Sequence, residues 1–501
     1  MSKEGLEEIQ HNNGMVELSG SLPITEWSNS DIEPVPVKKR TWGTYAMMAL
    51  WAGIVICIPT WMLAGGFIAA GMSVGQSISL IIFGQIIMFL GLIGNAYAGT
   101  KYGIPFPVFC RSSFGLKGAH YPGIIRALIG FGWFGIQNWI GGTTLSMALG
   151  IIFPGWAAWD KATTITKGFW VTGLSGGKII GMFVFIILSI WLAYTKSEGI
   201  KKFAEVTVPI MILIALGFFI WTVSKASINS MWSAESMPIN QFLKVSPLFI
   251  TGMVGYWLAM AVSIPDFSRF AKGQKEQILG QFFGLVVLMA IFSLLGVMVA
   301  QGTIKIFGRA VWDMIELAGL IGGEATFFGK LLIIIAFIFV AMATLSTNVA
   351  ANMVAPLNVF INLSPKYFNF RNSAIFFTVI SILIAPWYIL SSYQTYIFNW
   401  LNAIGATLGG VLGIQIVDFW IIRKTKLKLL ELYQPNGEYW YKNGINPAAF
   451  IALTISIIVT FPSQFISSMS FIHNYSIFIS FIIGAILYYI LMKFWILKEK
   501  K

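Results

Sequence analysis

The sequence predicts an all-α integral membrane protein of twelve transmembrane helices, and three observations carry that prediction. Hydrophobic residues fill 57% of the 501 positions and charged residues only 11%, against about 25% charged in a soluble domain. Apolar runs of roughly 20 residues, long enough for a helix to cross a bilayer, recur from residue 44 to residue 497. No polar linker follows residue 43, although soluble chains of this length divide into domains joined by such linkers.

The polar segment 1–43 carries Glu4, Glu7, Glu8, Glu17, Glu26, Asp31 and Glu33. It lacks the apolar stretch of a cleavable signal peptide, so the first apolar helix is expected to direct the chain to the membrane. That helix, 44–72, holds Gly53 and the run Ile56-Cys57-Ile58-Pro59, where the proline removes a backbone donor and disfavours a continuous helix. Spans at 76–99, 121–154, 175–195 and 205–224 complete a first group of five, 44–224. The sixth span, 246–265, has Gly252 and Gly255 near its centre as a second expected interruption. With 276–302, 329–360, 372–391 and 394–420 it makes a second group of five, 246–420, and helices at 446–463 and 473–497 follow. Interruptions five helices apart suggest an inverted repeat, because an odd number of spans turns the second copy upside down. Close helix packing is the other reading of the same glycines.

An even number of spans puts both termini on one side. Of the 33 basic residues, 24 fall in loops and tails on that side, while seven (Lys161, Lys167, Lys225, Lys244, Lys305, Arg309 and Lys330) fall opposite. Arg126 and Lys178 stand near helix ends. The bias predicts a multi-pass protein of the cell membrane with both termini cytoplasmic, and it accounts for the net charge of +13 without any nucleic acid. Cys57 and Cys110, one in a helix and one in a loop, read as two free thiols.

Charge inside a bilayer usually marks function, and here it is scarce. Glu205, Asp266 and Asp418 stand at span ends, and His11, His120 and His473 lie outside the interiors of the spans. A proton relay of buried carboxylates or imidazoles is therefore not expected. The interior polar groups are neutral and concentrated. Trp133 and Gln137, four apart in the third span, share a face and offer an aromatic plane beside an amide that both donates and accepts. In the eighth span Ala343 and Thr347 share one face with Ser346 beside them, and Asn348 and Asn352 share another. Each such group alone reads as interhelical hydrogen bonding, but the cluster reads as a site. A flat, neutral heterocycle would stack on Trp133 and Trp257 and pair its polar edge with Gln137 and Asn352. The hydroxyls of Ser346 and Thr347, with carbonyls freed by the break in the first span, make an oxygen cage for a small cation, sodium before a proton.

Gly173-Leu174-Ser175-Gly176-Gly177 matches the nucleophile-elbow pattern of hydrolases, but it follows no strand and opens a membrane helix. No H-E-x-x-H, Walker loop or cluster of metal ligands occurs, so no cofactor and no enzymatic activity is expected.

Motifs along nearly the whole chain resemble the first nucleobase–cation symporter family. They are Pro34-Val35-Pro36, Arg40-Thr41-Trp42, Gly103-Ile104-Pro105-Phe106-Pro107-Val108 with Arg111 and Ser113-Phe114-Gly115, and the Trp133–Gln137 segment. Val262-Ser263-Ile264-Pro265-Asp266-Phe267-Ser268-Arg269, Ser346-Thr347-Asn348 through Asn352, and Asp418-Phe419-Trp420 complete them. The resemblance implies the LeuT-type fold: two inverted five-helix repeats and two additional helices. Similarity to the hydantoin-transporter branch implies a ring sandwiched between Trp133 and Trp257, with Gln137 and Asn352 as polar contacts. It also implies sodium held by the carbonyls of Gly53, Ile56 and Ala343 and by the hydroxyls of Ser346 and Thr347. Two positions depart from that branch, Cys57 where it has a glutamine beside the ligand and Tyr256 where it has glycine. Both alter the size and edge preference of the ring. The expected function is sodium-coupled import of a nucleobase, allantoin or hydantoin-like ring by alternating access. A proton-coupled permease for the same ligands is the alternative, and a membrane-embedded enzyme or a pore comes after both.

Overall fold

In the computed structural model, which describes residues 6–168, 171–194, 196–323, 326–381, 386–392 and 394–499, the first expected span is two helices. α1 (Thr44–Val55) and α2 (Ile58–Ala69) meet at a bend of 60°. Ile56 and Cys57 leave helical geometry, Cys57 with φ −148° and ψ 163°. The break thus falls just upstream of Pro59, which sits in the first turn of α2, where its missing N–H has no helical acceptor to lose.

α3 (Val74–Tyr102) starts at a Ser73–Gln76 capping box, which satisfies orphan N–H groups reciprocally. The short α4 (Phe106–Phe114) leads into α5 (His120–Ile152), α6 (Pro154–Ala162), α7 (Gly176–Tyr194), α8 (Lys196–Lys225) and α9 (Ile228–Trp232). The second half opens with α10 (Ile239–Ser263) and α11 (Pro265–Ser268), and α12 (Gln274–Gln281) runs through a π turn into α13 (Leu288–Phe307). α14 (Met314–Gly323) precedes α15 (Phe327–Thr347), which continues through the π turn Asn348–Met353 into α16 (Val354–Leu363). α17 (Phe370–Ser381), α18 (Pro386–Ile389) and the π segment Thr395–Leu401 lead to α19 (Asn402–Ile416). The chain closes with α20 (Pro447–Thr460), α21 (Ser470–Asn474), α22 (Ser476–Leu491) and α23 (Leu497–Glu499).

Among the described residues nine helices are long and apolar enough to cross a membrane, or ten when α1 and α2 count as one broken span. Two of the twelve expected spans fall outside that set. α5 is 33 residues long but rich in glycine and polar side chains, and the 372–391 segment includes residues outside the described ones. Outward side chains such as Ile187, Leu213 and Ile220 are two-thirds exposed, which suits a lipid solvent and no aqueous one.

One expectation is corrected here. α10 is a single uninterrupted helix, so Gly252 and Gly255 do not break the sixth span. They are packing positions: a Cβ on Gly255 would collide with the Leu401 carbonyl oxygen, and one on Gly252 would press against Ile397. Helix interior glycine costs about 1 kcal/mol, and here it admits the backbone of the neighbouring segment. Gly142 of α5 and Gly181 of α7 meet in the same way.

The polar N-terminal segment is also more than a tail. Strands β1 (Glu8–Gln10) and β2 (Val16–Leu18) form an antiparallel hairpin. Val16, Leu18, Leu22 and Ile32 pack with Tyr102, Phe109, Phe419 and Tyr433. The buried Arg40 fixes it to α3, donating to the carbonyls of Val16, Val35, Thr100 and Lys101 at 2.7–3.1 Å. Cys57 and Cys110 are free and buried, and Ser175 precedes α7 at a helix start.

Candidate substrate and cation site

The bend between α1 and α2 has a direct chemical consequence. The last turn of a helix leaves carbonyls without helical donors, and Gly53 to Ile56 form that turn. One of them is engaged from across the molecule: the Thr347 hydroxyl at the end of α15 donates to the Gly53 carbonyl at 2.8 Å. Gly53, Ile56, Ala343, Ser346 and Thr347 are all buried. Two of the five oxygen donors expected for a cation therefore already touch, and Ala343 and Ser346 lie within the same turn of α15 as Thr347. Neutral carbonyl and hydroxyl oxygens are the hard donors that suit sodium. No group of three or more His, Cys, Asp or Glu able to hold a metal occurs among the described residues.

Directly beside this contact lies a cavity of about 30 Å³ whose walls include Cys57, Trp133, Gln137, Tyr256, Trp257 and Asn352. All six residues expected around a ring thus line one space, together with Ile54, Thr347 and Met260. That volume holds roughly one water-sized group, so a heterocycle needs its aromatic walls to part. Tyr256 explains the small size. Its ring packs edge-on against both Trp133, at 5.1 Å between centroids, and Trp257, at 4.6 Å. The two tryptophans accordingly face a tyrosine and not each other. The Tyr256 hydroxyl is tied to Thr60 Oγ1 at 2.9 Å and approaches Cys57 Sγ at 3.6 Å, which anchors it to the start of α2. Trp133 also rests edge-on against Tyr396 and Trp400, and Trp257 Nε1 donates to Met289 Sδ at 3.0 Å.

The polar half of the site is oriented from behind. Asn352 Nδ2 donates to Asn348 Oδ1 at 3.1 Å, Asn348 Nδ2 donates to Asn138 Oδ1 at 3.0 Å, and the Ser189 hydroxyl donates to the same Asn138 oxygen at 3.1 Å. This row of amides crosses from the π turn Asn348–Met353 to α5 and α7. π turns recur at functional sites because they widen the backbone and redirect side chains. Gln137 lines the cavity, and its Oε1 is buried and finds no hydrogen-bond partner among the described residues, which leaves an acceptor that a ring N–H could satisfy.

Sequence reasoning missed five contributors. Asn348 and Asn138 were legible as amides, but not as the support of Asn352. Thr60 and Tyr396 carried no pattern, since tertiary packing alone sets them against the wall residues Tyr256 and Trp133. The larger miss is Arg126. Placed by sequence near a helix end, it lies on the second turn of α5, is 1% exposed and lines the cavity. The expectation that the interior polar groups are all neutral fails there. Beyond the end of α10, Asp266 of α11 is buried as well, its Oδ1 accepting from Phe106 N at 3.1 Å and Asn358 Nδ2 at 2.8 Å. Burial pushes its carboxyl up to about 7, against the opposing pull of Arg269 and these hydrogen bonds.

The sequence profile of one family, described as permease for cytosine/purines, uracil, thiamine, allantoin, matches residues 34–484. The purine-uracil permease NCS1 of Arabidopsis thaliana is 37% identical over 478 residues, spanning 93% of this chain and 78% of that protein. The allantoin permease of Bacillus subtilis (strain 168) is 33% identical over 473 residues, spanning 93% of both. In architecture the chain is similar to MHP1, a nucleobase-cation-symport-1 family transporter solved in a closed conformation with bromovinylhydantoin bound. The TM-score is 0.76 at 22% identity, covering 94% of this chain and 96% of that one. At that identity the likeness carries the fold, which is the LeuT type expected from the sequence.

Proposed function

The chain belongs to the family of permeases for cytosine and purines, uracil, thiamine and allantoin, a family of membrane transporters and not of enzymes, and on that premise we propose that it imports a neutral nucleobase-like heterocycle with sodium by alternating access. The observation that carries this reading is the shared wall. The Thr347 side chain lines the aromatic and amide cavity and also holds the Gly53 carbonyl of the broken helix. A cation at those oxygens and a ring at Trp133, Gln137 and Asn352 would act on the same helices. A ligand shifts a conformational equilibrium only through its differential affinity for the two states. Sodium bridging α1 and α15 supplies such a difference, stabilising the outward-open state. The five-helix groups 44–224 and 246–420 would move against each other, in the cell membrane with both termini cytoplasmic.

The test is uptake into proteoliposomes of radiolabelled uracil, hypoxanthine, allantoin and hydantoin under an inward sodium gradient. The expected result is accumulation of at least one ring that collapses without the gradient. Equal uptake with and without sodium would refute the coupling, and no uptake of any ring would refute the substrate class. Asp266, buried with Oδ2 unpartnered among the described residues, favours the proton-coupled reading. An imposed pH gradient without sodium separates the two, because only that reading predicts accumulation under it.

Two substitutions address the parts separately. Thr347→Ala is expected to raise the sodium concentration for half-maximal uptake by about tenfold, the scale of one lost oxygen ligand and hydrogen bond, while ring affinity at saturating sodium stays within about threefold; sodium titration of uptake checks it. Tyr256→Gly removes the ring between the tryptophans and is expected to improve competition by bulky ring-substituted analogues by about tenfold relative to the parent ring.

A further inference from the structure

Arg126 is the charged residue that the proposed function leaves without a task. Its Nε donates to the Ala259 carbonyl at 2.9 Å and to Ser263 Oγ at 3.1 Å, both on α10. Those two bonds hold the guanidinium in place. Its Nη1 is buried without a hydrogen-bond partner among the described residues. That nitrogen stands level with Gly130, where a Cβ would lie 3.2 Å from Nη1 and 3.4 Å from the Asn352 carbonyl oxygen. The arginine therefore reaches up beside the turn that precedes Trp133, and it lines the cavity with Trp133, Gln137 and Asn352. No ion pair joins it to Asp266 among the described residues, and the Asp266 Oδ1 is already engaged by Phe106 N and Asn358.

Guanidinium chemistry then limits what can sit against it. Arginine has five N–H donors, no acceptor and no neutral form in proteins. A ring carbonyl can accept its free N–H, whereas an exocyclic amino group presents hydrogen to hydrogen. Leaving a buried charged donor unpaired is costly, so the site discriminates by the absence of an acceptor as strongly as by its presence. We infer that Arg126 forms an acceptor-selective subsite in the wall of the cavity, which takes an exocyclic carbonyl of the ring and disfavours rings with an amino group in that place. This inference rests on the proposed function and narrows its substrate class to oxo-rich heterocycles.

The experiment is direct binding to the purified protein in sodium, using the matched pairs uracil with cytosine and hypoxanthine with adenine. The native protein is expected to bind the oxo member of each pair at least about tenfold more tightly. Arg126→Met is expected to bring the ratio within about twofold, and Arg126→Lys, which keeps a charged donor, to retain part of it. Size-exclusion behaviour of each variant reports folding, and should Arg126→Met fail to fold, the native and lysine ratios decide. Equal affinity for both members in the native protein overturns the inference while leaving the proposed function standing. An equal loss for both members in Arg126→Met also overturns it, because the arginine would then be only a tie between α5 and α10. If none of the four rings binds the native protein, the proposed function fails first and this inference with it.

Discussion

Asn352→Ala is expected to abolish heterocycle binding, by on the order of a hundredfold or more, while leaving sodium-induced changes in the protein largely intact. The magnitude follows from what the amide does. Its Nδ2 is spent on Asn348, so its oxygen is the group left for a ring, and the row through Asn348, Asn138 and Ser189 would hold it in place. Removing it takes away a preorganised acceptor and strands Asn348 in a buried setting. Asn348→Ala keeps the contact atom but frees it to rotate, and its expected loss is smaller, about tenfold. Binding of a labelled ring, with sodium-dependent tryptophan fluorescence as the second readout, separates these outcomes. Loss of the fluorescence response together with ring binding in Asn352→Ala would show that the two faces of the eighth span had been exchanged.

The second large effect is expected at Trp133. Stacking of a base on an aromatic ring is worth roughly 1–3 kcal/mol, so Trp133→Ala should weaken ring binding by about tenfold to a hundredfold, whichever ring is used. Trp133→Phe keeps an aromatic face and should recover most of that loss. The indole also supports its surroundings, resting against Tyr256, Tyr396 and Trp400. A measured decrease confined to bulky analogues would assign Trp133 to shaping the cavity and not to stacking. Competition curves for a small and a bulky ring on both variants decide between these.

Much of this arrangement was legible in the residues. Lipid solvent follows from composition, and the break near Pro59 follows from a missing donor, although its placement at Ile56–Cys57 depends on the helix that starts there. Helical spacing alone put Gln137 with Trp133 and Asn348 with Asn352, because i and i+4 positions share a face in any helix. What spacing cannot convey is how helices meet. Gly252 and Gly255 look like an interruption in one dimension and prove to be the contact that admits the Thr395–Leu401 segment in three. Arg126 looks like a charge near a helix end, yet its long side chain is buried beside Gly130 and lines the cavity. Tyr256 was visible as added bulk, but only packing shows it standing between the two tryptophans.

The central claim is that the ring and sodium share one coupled site through Thr347 and the broken first helix. Coupling of two ligands is reciprocal, so sodium must raise ring affinity by the factor by which the ring raises sodium affinity. The decisive measurement is the Kd of the preferred ring at the sodium concentration that half-saturates native uptake and in potassium at equal ionic strength, for the native protein and for Thr347→Ala. A native Kd about tenfold lower in sodium, with the ratio falling toward one in Thr347→Ala, is the predicted result. The same native Kd in both salts, or a ratio unchanged by the substitution, would contradict the account.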